Sequence, residues 1–549
     1  MTLVGIIGLA MYPINVMRTT HQATTNDGVI ISYNIYQPMG LTQKTPLVVM
    51  GHGIIVNKEM LTNFAMELVS RGVIVANLDW RGHGQSTGEL SLEGLPLDLE
   101  AVIADIPSHV PLADMSSLAL LSYSMGGWPT YQYALNHNDT VKAWVGIATS
   151  GNETASNQTN INNVLFVVGS LDEAFPITEL LTDMVNLTGA GNINDIQANT
   201  LYGSIADGSA RKLQVVPGID HLMAPWTRDF VLSATNWIME SFGGSAYSSL
   251  SLSVFDIRFI LLNVGIVGII GLVVISALIL ADKLRIRKNS SEKMDELKED
   301  MIQDHSTLSF IGKYYGFTLA LLPTIFLLTP LVLFPLPITA LLSMLVGCLG
   351  INLLFYCWRI SKKYELSIKN VIKNAFVQQP KVWLYSITLG ILFFIGIEFT
   401  FGLHYLGMIP SLNRMIYLLL FIPLCFLAFS FYGMFIQKFS TPFWDSKLKN
   451  KNSFVKYIVS SFINFLMIDS WFVIIILTIC LFLRSFFFAM ILILMVPIFL
   501  FVSFFSVYIE KITGSTIPSA ILHSITLCFL ILTLTPMLSF MGLMGLFIP

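Results

Sequence analysis

At 549 residues the chain is too long for one compact domain, and its composition is 54% hydrophobic, with only 12% charged residues and a mean hydropathy of +0.70. That is more apolar surface than a soluble fold of this size buries, so membrane-spanning segments are expected. The formal net charge of −3 hides a split: residues 1–256 hold 9 Lys/Arg against 22 Asp/Glu, which argues against nucleic acid and anionic lipid heads as partners of that half.

Met1–Met17 is uncharged and largely apolar, so residues 1–20 read as an export signal or short N-terminal anchor. The next apolar run, Thr45-Pro46-Leu47-Val48-Val49-Met50, ends in Gly51-His52-Gly53, and Gly72–Asp79 is a second buried strand followed by Trp80-Arg81-Gly82-His83-Gly84-Gln85-Ser86. Leu118-Ala119-Leu120-Leu121 then leads into Ser122-Tyr123-Ser124-Met125-Gly126-Gly127. This is the pattern of a strand, a strained turn and a helix starting near Trp128. Small residues stand two before and two after Ser124, as close strand–helix packing requires, with Ser122 in place of the usual glycine. Such a turn lifts the Ser124 hydroxyl out of the sheet and frees the Met125 N–H for an oxyanion.

Two further strands complete the set. Val164–Gly169 is followed by Ser170-Leu171-Asp172-Glu173-Ala174-Phe175-Pro176, and Leu213–Gly218 by Ile219-Asp220-His221. Over roughly Asp27 to Phe242 the order and spacing of these motifs resemble the α/β-hydrolase family, in particular its serine-aminopeptidase, monoacylglycerol-lipase and dienelactone-hydrolase-like members. The resemblance implies a mostly parallel sheet flanked by helices. It implies Ser124 as nucleophile, Asp172 as acid and His221 as base, with Ile54 and Met125 N–H groups as oxyanion donors. Serine needs a neutral imidazole to take its proton, and the imidazole needs a carboxylate to fix its tautomer. Glu173 is a rival carboxylate one position on. Asp220 reads as structural, Arg81 as a loop tether, and His52 and His83 as loop-shaping residues. His21, His109 and His137 show no partner legible in the sequence. The chemistry calls for no cofactor and no metal. The place where such folds often carry a lid, Ser150 to Val164, is short and polar, so the pocket is expected to be open.

Residues 257–549 are mostly long apolar runs. Candidate spans fall at 257–281, 315–335, 337–358, 383–404, 415–436, 457–483, 485–508 and 517–546, about eight helices, the sixth and last overlong. The expected organisation is a signal or anchor at 1–20, a hydrolase domain at 21–250, a first span at 257–281, a cytoplasmic loop at 282–312 and a polytopic domain at 313–549. Basic residues cluster after the first span (Lys283, Arg285, Arg287, Lys288), the third (Arg359, Lys362, Lys363, Lys369, Lys373, Lys381) and the fifth (Lys438, Lys447, Lys449, Lys451, Lys456). Positive charge marks the cytoplasmic side, so the hydrolase domain is expected outside the cell membrane. Sequons at Asn138, Asn152, Asn157 and Asn186 agree with that side. The five cysteines (Cys348, Cys357, Cys425, Cys480, Cys528) all lie in the apolar half without metal spacing and read as apolar fillers.

The stretch Glu510-Lys511-Ile512-Thr513-Gly514-Ser515 leading to His523 resembles the end of the CPBP (CAAX-type) intramembrane protease family. The paired glutamates and arginine of that family are missing near Phe429–Gln437. Asp469 stands where it has a histidine, and Leu527 where it has Asn or Asp. The resemblance therefore implies a degenerate, non-proteolytic relative, with His523, Asp469 and Glu398 in structural roles. The function expected of the whole is a membrane-anchored serine hydrolase cleaving an ester, thioester or small amide of a small-molecule or lipid acyl substrate, with membrane lipids as its surroundings. The other reading is a polytopic transport or scaffold protein with a non-catalytic hydrolase-like ectodomain.

Overall fold

The computed structural model describes residues 1–151, 161–244, 252–286, 306–363, 367–376, 380–483, 489–539 and 542. The sequons Asn152 and Asn157, most of the short lid segment, and the basic residues Arg287 and Lys288 lie outside these residues. The chain forms two compact units. One comprises Met1–Gly268, Ile397–Arg414 and Leu530–Pro549; the other comprises Ile269–Gly396 and Met415–Phe529.

The first unit is built on a nine-stranded sheet. Its strands in chain order are β1 (Val16–Thr24), β2 (Ile30–Pro38), β3 (Thr45–Gly51), β4 (Ile74–Leu78), β5 (Ala113–Tyr123), β6 (Val141–Ile147), β7 (Val164–Gly169), β8 (Leu201–Tyr202) and β9 (Arg211–Val216). In space they run β1-β2-β4-β3-β5-β6-β7-β9-β8. The six strands from β4 to β9 are parallel, and β1, β2 and β8 are antiparallel additions at the edges. Parallel strands covered on both faces read as continuous apolar runs. β4 and β7 are buried at every position, whereas edge strand β1 is mostly exposed. The core gathers Val49, Leu120, Trp144, Phe166 and Leu213 from the sheet with Leu99 and Val102 of the helix α3 (Leu95–His109). The parallel strands β3, β4, β5, β7 and β9 each end in a loop that carries a motif, so the motifs converge on one edge of the sheet.

The same unit contains an apolar helix, α1 (Thr2–Met11), against the start of the long helix α7 (Val254–Lys283). A Cβ on Gly5 would lie 2.3 Å from Gly265 Cα, one on Gly265 2.8 Å from the Thr400 side chain, and one on Gly8 2.6 Å from the end of the Leu261 side chain. Arg258 is buried and donates to Leu9 O (2.9 Å) and Tyr12 O (2.5 Å), so it satisfies carbonyls at the end of α1.

The second unit is helical. Among the described residues seven helices are long and apolar enough to cross a bilayer, or eight if Thr307–Ala320 and Leu322–Leu333, bent by 41°, form one span, where the sequence predicts about eight. Polar contacts join helices inside the unit: Tyr314 Oη donates to Met467 O (3.1 Å) and Gln437 to Ser506 O (3.1 Å). Such bonds tie helices together where hydrophobicity cannot. The last span ends at Leu534 rather than running on to 546.

Phe166 is fully buried and meets the Trp144 ring edge-to-face at 5.4 Å. Phe166→Ala should cost about 3–5 kcal/mol. A clearly lowered melting midpoint for the hydrolase unit, with a much smaller shift for Phe166→Leu, is the expected readout.

Candidate active site

β5 delivers Ser124 into a left-handed conformation (φ 51°) that a non-glycine residue adopts only when its surroundings enforce it. The enforcement is visible. Thr149 Oγ1 donates to Ser124 O (2.7 Å), and α4 (Gly127–Asn136) starts at once behind the turn. A Cβ on Gly126 would lie 2.6 Å from Gly51 O and 2.8 Å from His52 O, so only glycine lets β3 and the turn pass. The Ser122 hydroxyl faces Val145 O at 3.4 Å, which is how a serine fits where the motif has glycine.

The structure brings Ser124, Asp172 and His221 together from three loops. Ser124 Oγ lies 3.0 Å from His221 Nε2, and His221 Nδ1 lies 3.0 and 3.1 Å from the two Asp172 oxygens. All three are nearly buried. Asp172 is held by the N–H groups of Ala174 and Phe175, each at 2.9 Å. Glu173 faces elsewhere: its carboxylate accepts the His221 backbone N–H at 3.3 Å, and burial pushes its pKa up. The His221 ring packs between Tyr123 and Phe175, and Tyr123 Oη donates to His221 O (3.1 Å). With Nδ1–H given to Asp172, the Nε2 lone pair faces the serine hydroxyl.

Ile54 opens the turn after His52-Gly53, and Ile55 has φ 60°. Gly53 lies against the serine, since a Cβ there would fall 2.9 Å from Ser124 Cβ and 2.9 Å from the Tyr123 ring. His52 holds this turn from behind. Its Nε2 accepts the Trp80 N–H (3.2 Å), its Nδ1 lies 2.6 Å from Gly53 O, and its own carbonyl accepts the Trp80 indole (2.7 Å). The tautomer is therefore Nδ1–H. Burial, the largest influence, drives its pKa down to about 4. His83 is also fully buried, is depressed by burial and gives Nδ1–H to Arg81 O (3.2 Å). Behind both stands Asp79. It accepts from Lys58 N (2.8 Å), Lys58 Nζ (2.5 Å) and Gln85 N (2.9 Å) and lies 3.7 Å from His52. Burial, the largest single influence, pushes the Asp79 carboxyl up, but Lys58, His52 and the Gln85 N–H together outweigh it and the net shift is downward. Sequence reasoning passed over Lys58 and Asp79, though a charged pair at the ends of two apolar strands was a signal.

The other sequence candidates lie apart. Arg81 tethers its loop through Asp98 (2.8 Å) and Asp27 (2.7 Å), and Asp220 accepts from Met223 N (2.9 Å). His21 pairs with Thr19 (2.7 Å) and stacks near His109, which pairs with Asp105 (3.2 Å). His137 stacks on Tyr133 and bonds its carbonyl. In the helical unit His523 sits among Phe429, Phe501 and Phe505, and its Nε2 meets no partner among the described residues. One Asp469 oxygen is likewise unpartnered among them. Glu398 belongs to the first unit, where its carboxylate accepts the Met408 N–H.

The sheet order, the turn at Ser124 and the loops at the strand ends are those of the α/β-hydrolase fold. Residues 42–185 match the family model of the serine aminopeptidases, S33. A monoacylglycerol lipase of Mycolicibacterium smegmatis is 28% identical over 174 residues, which are 31% of this chain and 60% of that protein, so the chain spans about three fifths of that relative. Among solved structures, an α-β serine hydrolase homologue from Coxiella burnetii is 17% identical over 40% of this chain and 96% of its own, with a TM-score of 0.30. A Pyrococcus furiosus esterase is 14% identical over 43% of this chain and 94% of its own, with a TM-score of 0.33.

The buried neutral His52 makes stability depend on pH. Free histidine binds a proton below about 6.5, but His52 in the fold only below about 4. The unfolded chain therefore binds the extra proton between these values. Stability is full above pH 6.5 and is lost as pH falls to 4, by roughly 3 kcal/mol. His83 acts in the same direction. Melting midpoints in detergent should fall over this window, and His52→Gln should flatten the fall; an equal slope in that variant would show that His52 is not its source.

Proposed function

We propose that the first unit hydrolyses an acyl ester, thioester or small amide through an acyl-Ser124 intermediate. The observation that carries this reading is the continuous hydrogen-bonded line from Ser124 Oγ through His221 to Asp172, 3.0 Å at each step. His221 Nε2 takes the hydroxyl proton as Oγ attacks the acyl carbon. Asp172 stabilises the imidazolium that forms. The developing oxyanion lies between the N–H groups of Ile54 and Met125. Collapse expels the leaving group, which receives its proton from His221; a water deprotonated by His221 then attacks the acyl carbon, the bond to Ser124 Oγ breaks, Oγ takes the proton back from His221, and the acid is released.

A lipid or other membrane-proximal acyl substrate is the class we favour. It is supported by the long apolar helices on the same chain, by the exposed Leu171 and Met223 next to Asp172 and His221, and by the name of the lipase relative. The Lys/Arg bias of the connecting loops supports a cell-membrane protein with its hydrolase domain on the outer side.

Fluorophosphonate labelling of membranes together with an acyl-ester panel tests the reaction. Ser124→Ala and His221→Ala should abolish labelling and turnover, and Asp172→Asn should lower kcat about 10⁴-fold. Undiminished labelling of Ser124→Ala would sink the acyl-serine reading. The side of the membrane has its own test. Protease added to intact cells should cut before residue 257 and spare 282–312; the reverse pattern would put the hydrolase in the cytoplasm.

A further inference from the structure

The loops on the oxyanion side of the site are gripped by chain that arrives from far along the sequence. Gly82, two residues after Trp80, has its carbonyl bonded by the Met537 N–H (2.7 Å) and by the Arg414 guanidinium. Met537 O in return accepts the Leu90 N–H (2.7 Å), so one residue bridges both ends of the 82–90 loop. Ser411 N–H donates to Gly84 O (3.2 Å). Arg414 is fully buried, and its other terminal nitrogen donates to Leu532 O and Thr535 O, each at 2.9 Å. Three backbone carbonyls from two distant segments thus meet on one guanidinium, a planar fork that a lysine cannot reproduce.

The loop after β3 is held in the same manner. The Asn57 amide and the Gly407 backbone exchange two hydrogen bonds, 2.9 and 3.1 Å. A Cβ on Gly407 would lie 2.8 Å from Glu59 Oε2, so the two chains are in direct contact there. Arg18 reaches Leu403 O at 2.8 Å.

We propose that Arg414 is a positioning residue of the hydrolase site: by joining Gly82 to Leu532 and Thr535 it fixes the loop on which His52 leans, and so sets the Ile54 oxyanion donor. This rests on the acyl-serine reading above. The link runs from Arg414 to Gly82, along the backbone to Trp80, through the Trp80 N–H and indole to His52, and then to Gly53 and Ile54, which abut Ser124. Oxyanion donors act only when held in place before charge develops. Loosening the loop therefore lowers the rate of acylation and leaves ground-state binding of a small ester nearly as it was.

The test uses the full-length chain in detergent, with p-nitrophenyl butyrate as ester and a fluorophosphonate as probe. Arg414→Met should lower kcat roughly 10- to 100-fold, less than the ~10²–10³ of deleting an oxyanion donor outright. KM should stay within about threefold, and the labelling rate should fall in step with kcat. Arg414→Lys should recover part of the loss, because an ammonium serves some of the same carbonyls. A folded Arg414→Met chain with kcat within twofold of the parent overturns the proposal, and so does a loss confined to KM. If Arg414→Met does not accumulate, Arg414→Lys decides: it keeps a buried cation but not the fork that reaches all three carbonyls, and an unchanged kcat overturns the proposal. A parent chain that neither turns over ester nor labels at Ser124 overturns the acyl-serine reading beneath it instead.

Discussion

The buried Asp79 carboxylate is the constraint from which the site follows. A full negative charge taken out of water at the end of a parallel strand is costly unless it is met by donors and an opposite charge. Lys58 supplies both, through its backbone N–H and its ammonium, and Gln85 adds a third bond. These donors come from the loops after β3 and β4. Neutralising one charge therefore fixes the two loops against each other. His52 bonds to both, and the turn that brings Gly53 against Ser124 inherits its position from that arrangement. The glycines do the complementary work: Gly53 and Gly126 let backbones approach the serine where any side chain would collide.

The central sheet was legible because its strands are covered on both faces. Leu47–Met50, Ile74–Leu78 and Val164–Val168 are unbroken apolar runs, and each ends in a motif. β1 and β6 were not read. β1 is a polar edge strand held by its ladder to β2, and β6 is a short run interrupted by Lys142 and Gly146 with no motif behind it. Ser124 and His221 could be placed from motif and chain order, and the acid to within Asp172 and its neighbour. The choice of Asp172 over Glu173 needs the register at the end of the strand, which turns on which side chain points at the imidazole. Here Glu173 takes the backbone N–H of His221 and leaves the ring to Asp172.

The grip of residues 397–414 and 530–539 on the hydrolase loops was the least legible feature. Its bonds run to backbone carbonyls and amides across separations of 332 and 350 residues, and backbone acceptors leave no pattern in a sequence. The overlong last span was the one trace. Its apolar run continues past Leu534, although the residues after the helix are held by Gly82 and Leu90 rather than by a continued helix. Arg414 is the buried junction of three backbone carbonyls.

That junction bears on the order in which the protein is made. The sheet is finished once β9 has left the ribosome, but Met537 emerges only after all the candidate spans among the described residues have been made. Contacts this distant in sequence close late and slowly. The nascent hydrolase domain must therefore wait, with its 82–90 loop unlatched, until every apolar helix has been threaded. A chain in which the helix Ile517–Leu534 fails to insert would carry a complete sheet with the 82–90 loop unlatched, so the state of that loop would report on completion of the helices that precede Met537.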